Sequence, residues 1–424
     1  MKRALLALLA VLIVVPLAVF AWQFMQHPDR AHPARPVADK AAQLQRGAYL
    51  ARAGDCMACH TARGGEPYAG GRGIATPFGE VVAPNITPDA KTGIGEWSAD
   101  DFWRAMHNGR GRDGRFLYPV FPYTSYTRVS REDSDAIHAW LRTVPPVQQQ
   151  NREHALRFPY NQRWLLAGWR ALYFRPGVYE ADVGKPAQWN RGAYLVQGLG
   201  HCAACHSSRN ALGATSARGD LAGGLIPISD WYAPALTPDA ATGLGDWQVD
   251  DLAALLKTGV SAKGAVYGPM AEVVRQSLQY LHDDDVKAMA VYLKSLPQHG
   301  AVPAPEPVTR DTERLLELGA RLYETHCVEC HGADGAGKPP AYPPLAGNHG
   351  LTASAVNPIR MVLNGGFPPS TAGNPRPYGM PPYGPLMNDD EVAAVVTYIR
   401  ASWGNQGLPV RPGEVSRYRS VPLE

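Results

Sequence analysis

The chain has 424 residues, which is more than a single hydrophobic core usually supports, so two or three domains are expected. Hydrophobic residues make up 45% and charged residues 19% of the chain, a balance that is typical of globular protein and not of a disordered chain. The formal net charge of +3 is close to neutral and does not provide the strongly basic surface expected of a nucleic-acid-binding protein.

The first 24 residues predict an export or membrane-attachment segment. Lys2 and Arg3 are followed by residues 4–24, which are uncharged and mostly apolar. Ala21 would end a cleavable signal peptide, whereas the length of the apolar run would also suit a transmembrane anchor. Both interpretations keep the two basic residues in the cytoplasm and place the rest of the chain outside it.

An internal repeat organises the remainder of the chain. The sequence QRGAYLARAGDCMACH at 45–60 returns as NRGAYLVQGLGHCAACH at 190–206. The block NITPDAKTGIGEWSADDF at 85–102 returns as ALTPDAATGLGDWQVDDL at 235–252. Shared segments of this length in the same order indicate duplicated domains, and a third, more diverged copy begins near residue 310.

Each copy is predicted to contain three main helices. The first helix leads into a CxxCH motif, at about 40–53, 186–199 and 311–324. A middle helix begins at a capping sequence such as Ser98 to Asp101, and a last helix with acidic residues in its first turn closes each copy. No run predicts a β-strand, so we expect an all-α chain of three small tandem domains.

The expected organisation follows the three copies. In chain order the predicted segments are the N-terminal segment 1–24, a Pro/Ala-rich spacer 25–42, a first domain 43–145, a linker 146–185, a second domain 186–300, a third domain 310–405 and a C-terminal tail 406–424. Within the linker, FPYNQRWLLAGWRALYF at 158–174 predicts an aromatic-rich amphipathic helix. This helix either packs between the first two domains or contacts a membrane surface or a partner subunit.

The three CxxCH motifs contain every cysteine of the chain. They are CMACH, CAACH and CVECH, with the pairs Cys56 and Cys59, Cys202 and Cys205, and Cys327 and Cys330. Two thiols three residues apart can capture the two vinyl groups of one haem as thioethers, and the adjacent imidazole then reaches the iron. We therefore predict covalent haem c at all three motifs. The predicted proximal iron ligands are His60, His206 and His331.

Other uses of the cysteine pairs account less well for the pattern. Two CxxC pairs could share a structural zinc ion, but three pairs cannot all be matched in this way, and zinc gives no reason for a histidine directly after every pair. A thioredoxin-like redox motif would need a βαβ context, which is not predicted. Three equivalent motifs in duplicated domains behind an export segment favour haem attachment.

Two methionines are predicted to be distal ligands, because the sixth ligand of a c-type haem is usually Met or His. Met270 in YGPMAEV of the second copy and Met380 in YGMPPYG of the third copy lie in Gly/Pro-rich loops ahead of the last helix. Met387 is a rival to Met380. However, it directly precedes Asn388, the apparent N-cap of the last helix, and is expected to pack onto Val392.

The first copy has no methionine in the corresponding loop. The sequence YPVFPYTSY at 118–126 places Phe121 there. The first iron could be five-coordinate, with Phe121 capping an apolar distal pocket. It could instead take Met106 or His107 from the middle helix, His138 from the last helix, or a side chain from a neighbouring domain. Met106 and His138 also have simple interpretations as packed residues, and the sequence leaves these alternatives open.

Together these features resemble the triple-haem cytochrome c subunits of bacterial membrane-bound dehydrogenases, which oxidise alcohols, gluconate, sorbitol or aldehydes. The matching residues are the three CxxCH motifs, the block at 86–102, YPVFPYTSY, WYAPALTPD at 231–239, GPM at 268–270 and VVTYIRASWGN at 395–405. The resemblance covers the chain from about 40 to 405. Many family members have a methionine in the loop that matches 118–126, so Phe121 departs from the family pattern.

The resemblance implies an electron-transfer subunit that is not an enzyme by itself. Such subunits take electrons from a separate quinoprotein, flavoprotein or molybdoprotein subunit and pass them to membrane ubiquinone at the periplasmic side of the inner membrane. A stand-alone multihaem carrier to a terminal oxidase is one alternative. A multihaem peroxidase with an open first iron is another, but Phe121 with Tyr123 and Tyr126 makes a poor distal acid–base set.

Overall fold

The structure is a computed structural model of the chain. It describes residues 14–15, 18, 21–23, 25, 32–33, 35–215, 221–240, 242–298 and 309–421. The chain divides into two compact units, one made of residues 1–182 and 196–201 and the other of residues 183–195 and 202–424. Most of the predicted N-terminal segment 1–24 and part of the spacer 25–42 lie outside the described residues.

The first unit contains the first sequence repeat and the linker. Its helices are α1 (Lys40–Ala53), α2 (Cys56–Cys59), α3 (Ala99–Asn108), α4 (Tyr123–Tyr126), α5 (Arg131–Leu141) and α6 (Leu166–Tyr173), and a 3₁₀ turn (Arg163–Leu165) leads into α6. Its strands are β1 (Gly73–Thr76), β2 (Gly79–Val82) and β3 (Ala155–Leu156), which form an antiparallel sheet in the order β1-β2-β3. The linker therefore contributes both a strand and a helix to this unit.

The second and third repeats provide the remaining elements. The helices are α7 (Ala187–Gln197), α8 (Ala203–His206), α9 (Val249–Thr258), α10 (Pro269–Gln276), α11 (Asp283–Lys294), α12 (Arg310–His326), α13 (Val328–His331), α14 (His349–Thr352), α15 (Val356–Asn364), α16 (Asp389–Ala401) and α17 (Pro412–Arg419), with a 3₁₀ turn at Leu278–Tyr280. The strands are β4 (Gly224–Ile226), β5 (Trp231–Ala233), β6 (Val260–Ser261) and β7 (Gly264–Ala265). They pair antiparallel, β4 with β5 and β6 with β7. In the C-terminal tail, Val415 and Tyr418 of α17 are buried in the core of the third repeat.

The expectation of a chain without strands was wrong. Each strand of the described residues is short, from the two residues of Ala155–Leu156 to the four of Gly73–Thr76. In the first unit, Thr76 pairs with Gly79 across a two-residue turn. Segments of this length are too short to show the alternation of apolar and polar residues by which a strand is predicted. The strands β1 and β2, β4 and β5, and β6 and β7 form local hairpins, and β3 of the linker adds to the first of them.

The middle helices begin where their capping sequences predict. The Ser98 hydroxyl accepts a hydrogen bond from the Asp101 backbone N–H at 3.1 Å, and the Asp101 carboxylate accepts one from the Ser98 backbone N–H at 3.0 Å. The same reciprocal arrangement joins Gln248 and Asp251 at the start of α9. These caps pair backbone N–H groups that have no partner within the helix.

In every repeat the first and last helices cross at a glycine. The contacting pairs are Gly47 with Ala136, Gly192 with Ala288 and Gly319 with Ala394. A Cβ atom on any of the three glycines would lie within 2.2 Å of the carbonyl oxygen of its alanine partner, closer than van der Waals contact permits. Only glycine lets the two helices approach this closely. Because each first helix is followed by its CxxCH motif, the crossing also fixes where the motif begins relative to the last helix.

An ion pair with a buried aspartate accompanies two of these crossings. The Arg46 guanidinium lies 2.5 Å from the Asp133 carboxylate, and Arg191 donates to Asp285 at 2.7 Å through two nitrogens. Each arginine directly precedes the crossing glycine, and each aspartate lies in the first turn of the last helix. Within the described residues, no helix is both long and apolar enough to cross a membrane.

Candidate haem-binding sites

Each CxxCH motif forms one helical turn. The backbone N–H of His60, His206 and His331 donates to the carbonyl of the first cysteine of its own motif at 3.0, 2.9 and 2.9 Å. The accepting residues are Cys56, Cys202 and Cys327. The turn places both cysteines of a pair on one side of the chain, with the histidine directly after them. None of the six cysteines forms a disulfide. Every motif thus presents two thiols and one imidazole from a single turn.

Burial keeps the first cysteine of two motifs protonated. It raises the pKa of Cys56 to about 12 and that of Cys327 to about 11. A thiol takes part in thiol–disulfide exchange as its thiolate, so these environments do not favour redox exchange at the motifs.

The second cysteines of the three motifs differ in exposure. Cys59 and Cys205 are exposed, whereas Cys330 is half-buried. The Cys330 thiol lies beside Tyr342 and raises the pKa of that tyrosine through its charge and a side-chain hydrogen bond. The Cys330 backbone N–H donates to the Cys327 carbonyl at 3.3 Å, so the residue stays on the motif turn. Haem attachment at this pair, as at the other two, is a prediction.

In all three motifs the Nδ1 atom of the histidine lies against the carbonyl oxygen of a proline. The Nδ1 atom of His60 lies 2.8 Å from the Pro84 carbonyl oxygen and that of His206 lies 2.7 Å from the Pro234 oxygen. In the third repeat the corresponding distance, from His331 to Pro343, is 3.1 Å. A carbonyl oxygen can only accept, so Nδ1 carries the proton and Nε2 carries the lone pair that a metal needs.

Burial also lowers the pKa of all three imidazoles, and the hydrogen bonds to the proline carbonyls only partly offset the effect. The neutral form that results is the one that ligates a metal. Among the described residues, no group of three or more His, Cys, Asp or Glu side chains is arranged to hold a bare metal ion. A single neutral imidazole per site fits a haem iron, because the porphyrin ring supplies most of the other iron ligands.

The third repeat brings Met380 and its CxxCH motif to one hydrophobic core. Met380, Cys327 and Val328 all pack against the cluster that contains Ile359 and Val392. The backbone of Met380 is held by Gly366, with N–O distances of 2.8 and 3.0 Å in the two directions. The Gly/Pro-rich loop therefore places this thioether on the same core as the first cysteine of the motif.

Met387 has a different place in the third repeat. It is buried in the core directly before Asn388, which caps α16 through the Glu391 backbone N–H. Asn388 and Glu391 also complete a capping box. This position agrees with the interpretation of Met387 as a residue that staples the helix start and not as an iron ligand.

In the second repeat, Met270 is the second residue of α10. The preceding Gly268 has φ 56° and lies against the indole ring of Trp231, which leaves no room for a side chain at this position. Trp231 begins β5, and Pro234, the hydrogen-bond partner of His206, follows that strand. Met270 was expected in a loop, but it lies in the first turn of α10, because Pro269 starts the helix directly after the turn at Gly268. That turn and the segment that orients His206 both pack on or follow the short strand β5.

In the first repeat, Phe121 lies one aromatic ring away from the CxxCH motif. Its ring packs edge-on against Tyr126 with centroids 5.4 Å apart. The Tyr126 hydroxyl donates to the Gly54 carbonyl at 3.0 Å, and its pKa is raised by burial and by the nearby Cys56 and Cys59 thiols. The end of the segment 118–126 therefore lies beside the cysteine pair.

The other candidates for the first iron occupy defined packing positions. Met106 is buried on α3. His107 stacks on Trp103 at 4.4 Å, and its Nδ1 lies 2.9 Å from the Thr127 carbonyl oxygen. His138 packs on Phe102 between α5 and α3, and burial lowers its pKa to about 4. None of these contacts involves the cysteine pair, whereas those of Tyr126 do.

The residues present therefore fit three haem groups. Each repeat supplies a cysteine pair and a neutral imidazole oriented through Nδ1. In the first and third repeats the segment ahead of the last helix also contacts the motif or its core. The proline carbonyls were not identified from the sequence. The repeated segments APN at 83–85 and APA at 233–235 were a signal for two of them, because they recur at a similar distance after the histidine.

Comparison with known proteins identifies the family. The cytochrome c family matches residues 44–145, 190–297 and 316–403, one match for each repeat. The chain is 42% identical over 389 residues to the gluconate 2-dehydrogenase cytochrome c subunit of Pantoea cypripedii, with 86% of each chain covered.

Two further relatives are similar over nearly the whole chain. The cytochrome c subunit of a quinone-type alcohol dehydrogenase from Gluconobacter oxydans is 40% identical, over 88% of this chain and 80% of the relative. The cytochrome subunit of a fructose dehydrogenase from Gluconobacter japonicus is 35% identical, over 93% and 87%. The chain thus belongs to the cytochrome c family and, within it, to the cytochrome c subunits of dehydrogenases.

Proposed function

We propose that the chain binds three haem c groups and transfers electrons from the catalytic subunit of a dehydrogenase to membrane ubiquinone. The observation that carries the proposal is the threefold recurrence of one arrangement. In each repeat a helical turn presents two thiols, and the Nδ1 atom of the adjacent histidine lies 2.7–3.1 Å from a proline carbonyl oxygen.

When bound, the haem iron would supply one-electron redox chemistry. The proline carbonyls hold each imidazole in one orientation and make its Nε2 more basic. The thioethers of Met270 and Met380 would complete the coordination of the second and third irons, and a methionine ligand raises the reduction potential. Phe121 offers no lone pair, so it would close the first site with an apolar surface. The first haem would then have a lower potential than the other two.

Contacts within the second unit support transfer between its two haem segments. The side chain of Asn357 in the third repeat pairs with both backbone groups of Tyr232 in the second, at 2.9 and 2.8 Å. The Thr371 hydroxyl donates to the Thr258 carbonyl at 2.9 Å. Such bonds keep the second and third repeats in a fixed relation, which short-range electron transfer requires.

The relatives support the assignment of the partner. They carry the names of cytochrome subunits of gluconate, alcohol and fructose dehydrogenases, so substrate oxidation would take place on a separate quinoprotein, flavoprotein or molybdoprotein chain. Residues 1–24 support export and attachment to the periplasmic side of the inner membrane, whether the segment is cleaved or retained. The chain itself would act as an electron carrier and not as the catalyst.

The test uses the complex as it is isolated from the membrane through an affinity tag at the C-terminus of the chain. Candidate substrates such as gluconate, ethanol or fructose are added without oxygen while the haem absorbance is recorded, and a ubiquinone analogue follows. We expect reduction by one substrate class and reoxidation by the quinone. The same chain purified without its partner is the control and should not respond to substrate. A partner-free chain that rapidly consumes hydrogen peroxide would contradict the carrier role.

A further inference from the structure

The linker helix α6 has an apolar side that faces away from its own domain. Trp164 and Leu165 in the 3₁₀ turn and Leu172 and Tyr173 in the helix are exposed, with 60% of Trp164 and 66% of Leu172 accessible. The nearby Phe158 is 79% exposed. A surface helix normally presents polar side chains to water, so an apolar outward side marks an interaction surface.

The opposite side of the helix already anchors it to the first unit. Leu166 and Ala167 are buried against Phe116. Arg170 is fully buried and donates to the backbone and side-chain oxygens of Asn108, both at 2.6 Å. The helix is therefore held in place without its outward residues, and those residues are not required for the packing of this domain.

The charged side chains of this segment are all basic. Arg157 and Arg175 are exposed and Arg163 is half-buried, and the chain has no Asp or Glu between residues 154 and 179. Arg175 donates to the Ala171 and Phe174 carbonyls at the C-terminal end of the helix. An apolar surface bounded by arginines complements an anionic lipid surface, in which acyl chains lie beneath phosphate groups.

The same helix contacts the end of the N-terminal apolar run. The Arg170 Nε donates to the Gln23 side-chain oxygen at 3.2 Å, and Gln23 is buried. Its neighbours Trp22 and Met25 are exposed. Gln23 thus packs on the anchored side of α6, so the residue at the end of the N-terminal apolar run and the helix belong to the same part of the first unit.

We propose that Phe158, Trp164, Leu165, Leu172 and Tyr173 insert into the boundary between headgroups and acyl chains of an anionic bilayer. The helix lies in the membrane plane, because it is far shorter than the roughly 20 residues that a spanning helix needs. Arg157, Arg163 and Arg175 bind lipid phosphates at its two ends. The proposal rests on the membrane association of the proposed function and assigns it a second surface beyond the N-terminal segment.

The test places a nitroxide at Leu172→Cys in the full-length, haem-loaded protein. All six native cysteines would be bound to haem, so the introduced thiol is the one that is labelled. Leu386→Cys is the matched control, because Leu386 is exposed to a similar degree, 71%, in the third repeat. The protein is added to phosphatidylglycerol-containing vesicles, and the collision rates of the label with oxygen and with a water-soluble nickel chelate are measured.

We expect the oxygen-to-nickel collision ratio at position 172 to rise on vesicle addition and the ratio at 386 to stay unchanged. The rise should shrink in vesicles of phosphatidylcholine alone and in Arg163→Gln/Arg175→Gln protein. A label at 172 that remains as accessible to nickel as the one at 386, while the protein stays with the vesicles, would overturn this inference and leave the proposed function intact. Protection from both reagents only when the catalytic subunit is present would also overturn it and assign the surface to that subunit.

Discussion

The Tyr126 hydroxyl donates a hydrogen bond to the Gly54 carbonyl at 3.0 Å, just ahead of the first CxxCH motif. In the third repeat, Tyr383 donates in the same way to the carbonyl of His326, directly before Cys327, at 2.9 Å. Each tyrosine follows a loop that ends at the last helix. The two bonds therefore tie equivalent loops to equivalent motifs, although one loop carries Phe121 and the other carries a methionine.

This equivalence makes Phe121→Met the first prediction. If position 121 faces the first iron as position 380 faces the third, the new thioether should ligate the iron. We expect an additional sulfur–iron charge-transfer band in the oxidised protein and a higher midpoint potential for the first haem, since methionine ligation raises the potential. Val120→Met is the control and should produce neither change. Absence of the band in Phe121→Met protein would show that this loop does not face the iron.

The helix crossing gives a prediction about stability. In Gly47→Ala the new methyl group would lie 2.0 Å from the Ala136 carbonyl oxygen, so α1 and α5 must separate. Overpacking of this kind costs about 1–3 kcal/mol, and we expect the upper end because the clash is with backbone. Gly168→Ala on α6 is the control, since nothing lies within 4 Å of its Cβ position. It should be neutral or stabilise the helix by about 0.5–1 kcal/mol. Equal urea midpoints for the two variants would contradict the crossing.

His138 should make the stability of the first unit sensitive to acid. Burial, reinforced by the nearby Arg142, lowers its pKa from 6.5 to about 4, with a hydrogen bond to Trp97 and the charge of Asp101 opposing the shift. Between these two pH values the unfolded chain takes up a proton that the folded chain does not. The contribution of His138 to the free energy of unfolding is therefore constant above pH 7. It falls as the pH drops from 6.5 towards 4, by on the order of 3 kcal/mol.

His138→Val tests this prediction, since the equivalent residue of the third repeat is Val396. Urea unfolding at pH 7 and pH 5 should show a smaller loss of stability on acidification in the variant than in the native chain. Between pH 7 and pH 8 His138 is neutral in the folded and unfolded chains, so over that interval native and variant protein should respond equally. An identical acid response of native and His138→Val protein would contradict the account.

The contact between the second and third repeats predicts a redox effect. Asn357 holds the backbone of Tyr232, two residues before Pro234, whose carbonyl accepts from His206. Asn357→Ala removes both bonds, each worth about 0.5–1.5 kcal/mol, and should loosen this carbonyl. A less basic imidazole stabilises Fe(III) less, so the midpoint potential of the second haem should rise.

Gln279→Ala provides the matched control for Asn357→Ala. Gln279 also bonds across the two repeats, by accepting from the Ala372 N–H at 3.3 Å, but it is not connected to the His206 carbonyl partner. Redox potentiometry should show a shift of the second haem in Asn357→Ala and none in Gln279→Ala. Equal shifts in both variants would mean that the effect comes from general loosening of the interface.

Much of the site was predictable because it is encoded in local sequence. The CxxCH turns, the cap at Ser98 and the staple at Met387 each depend on residues that are close in the chain. The proline carbonyls that orient the histidines could not be predicted, because a backbone oxygen has no residue type that identifies it. The pairing of Asn357 with Tyr232 joins residues more than a hundred positions apart and leaves no local pattern.

The errors of the sequence interpretation have similar causes. Strands as short as Val260–Ser261 cannot show periodicity, so an all-α chain was expected. The helix Pro412–Arg419 lay in a segment described only as a tail, because Val415 and Tyr418 show their burial only against the third repeat. Local sequence patterns thus predict the helices and motifs. The short strands and the burial of the C-terminal helix depend on contacts that form only in the folded chain.

The central claim is that the chain carries three covalent haem c groups, one on each CxxCH motif. Intact-mass measurement of the chain, produced with the cytochrome c maturation machinery, tests it most directly. The account predicts a mass increase equal to three haems and no cysteine that reacts with a thiol reagent under denaturing conditions. An increase of two haems or fewer, with a reactive or disulfide-bonded cysteine pair at any motif, would contradict it.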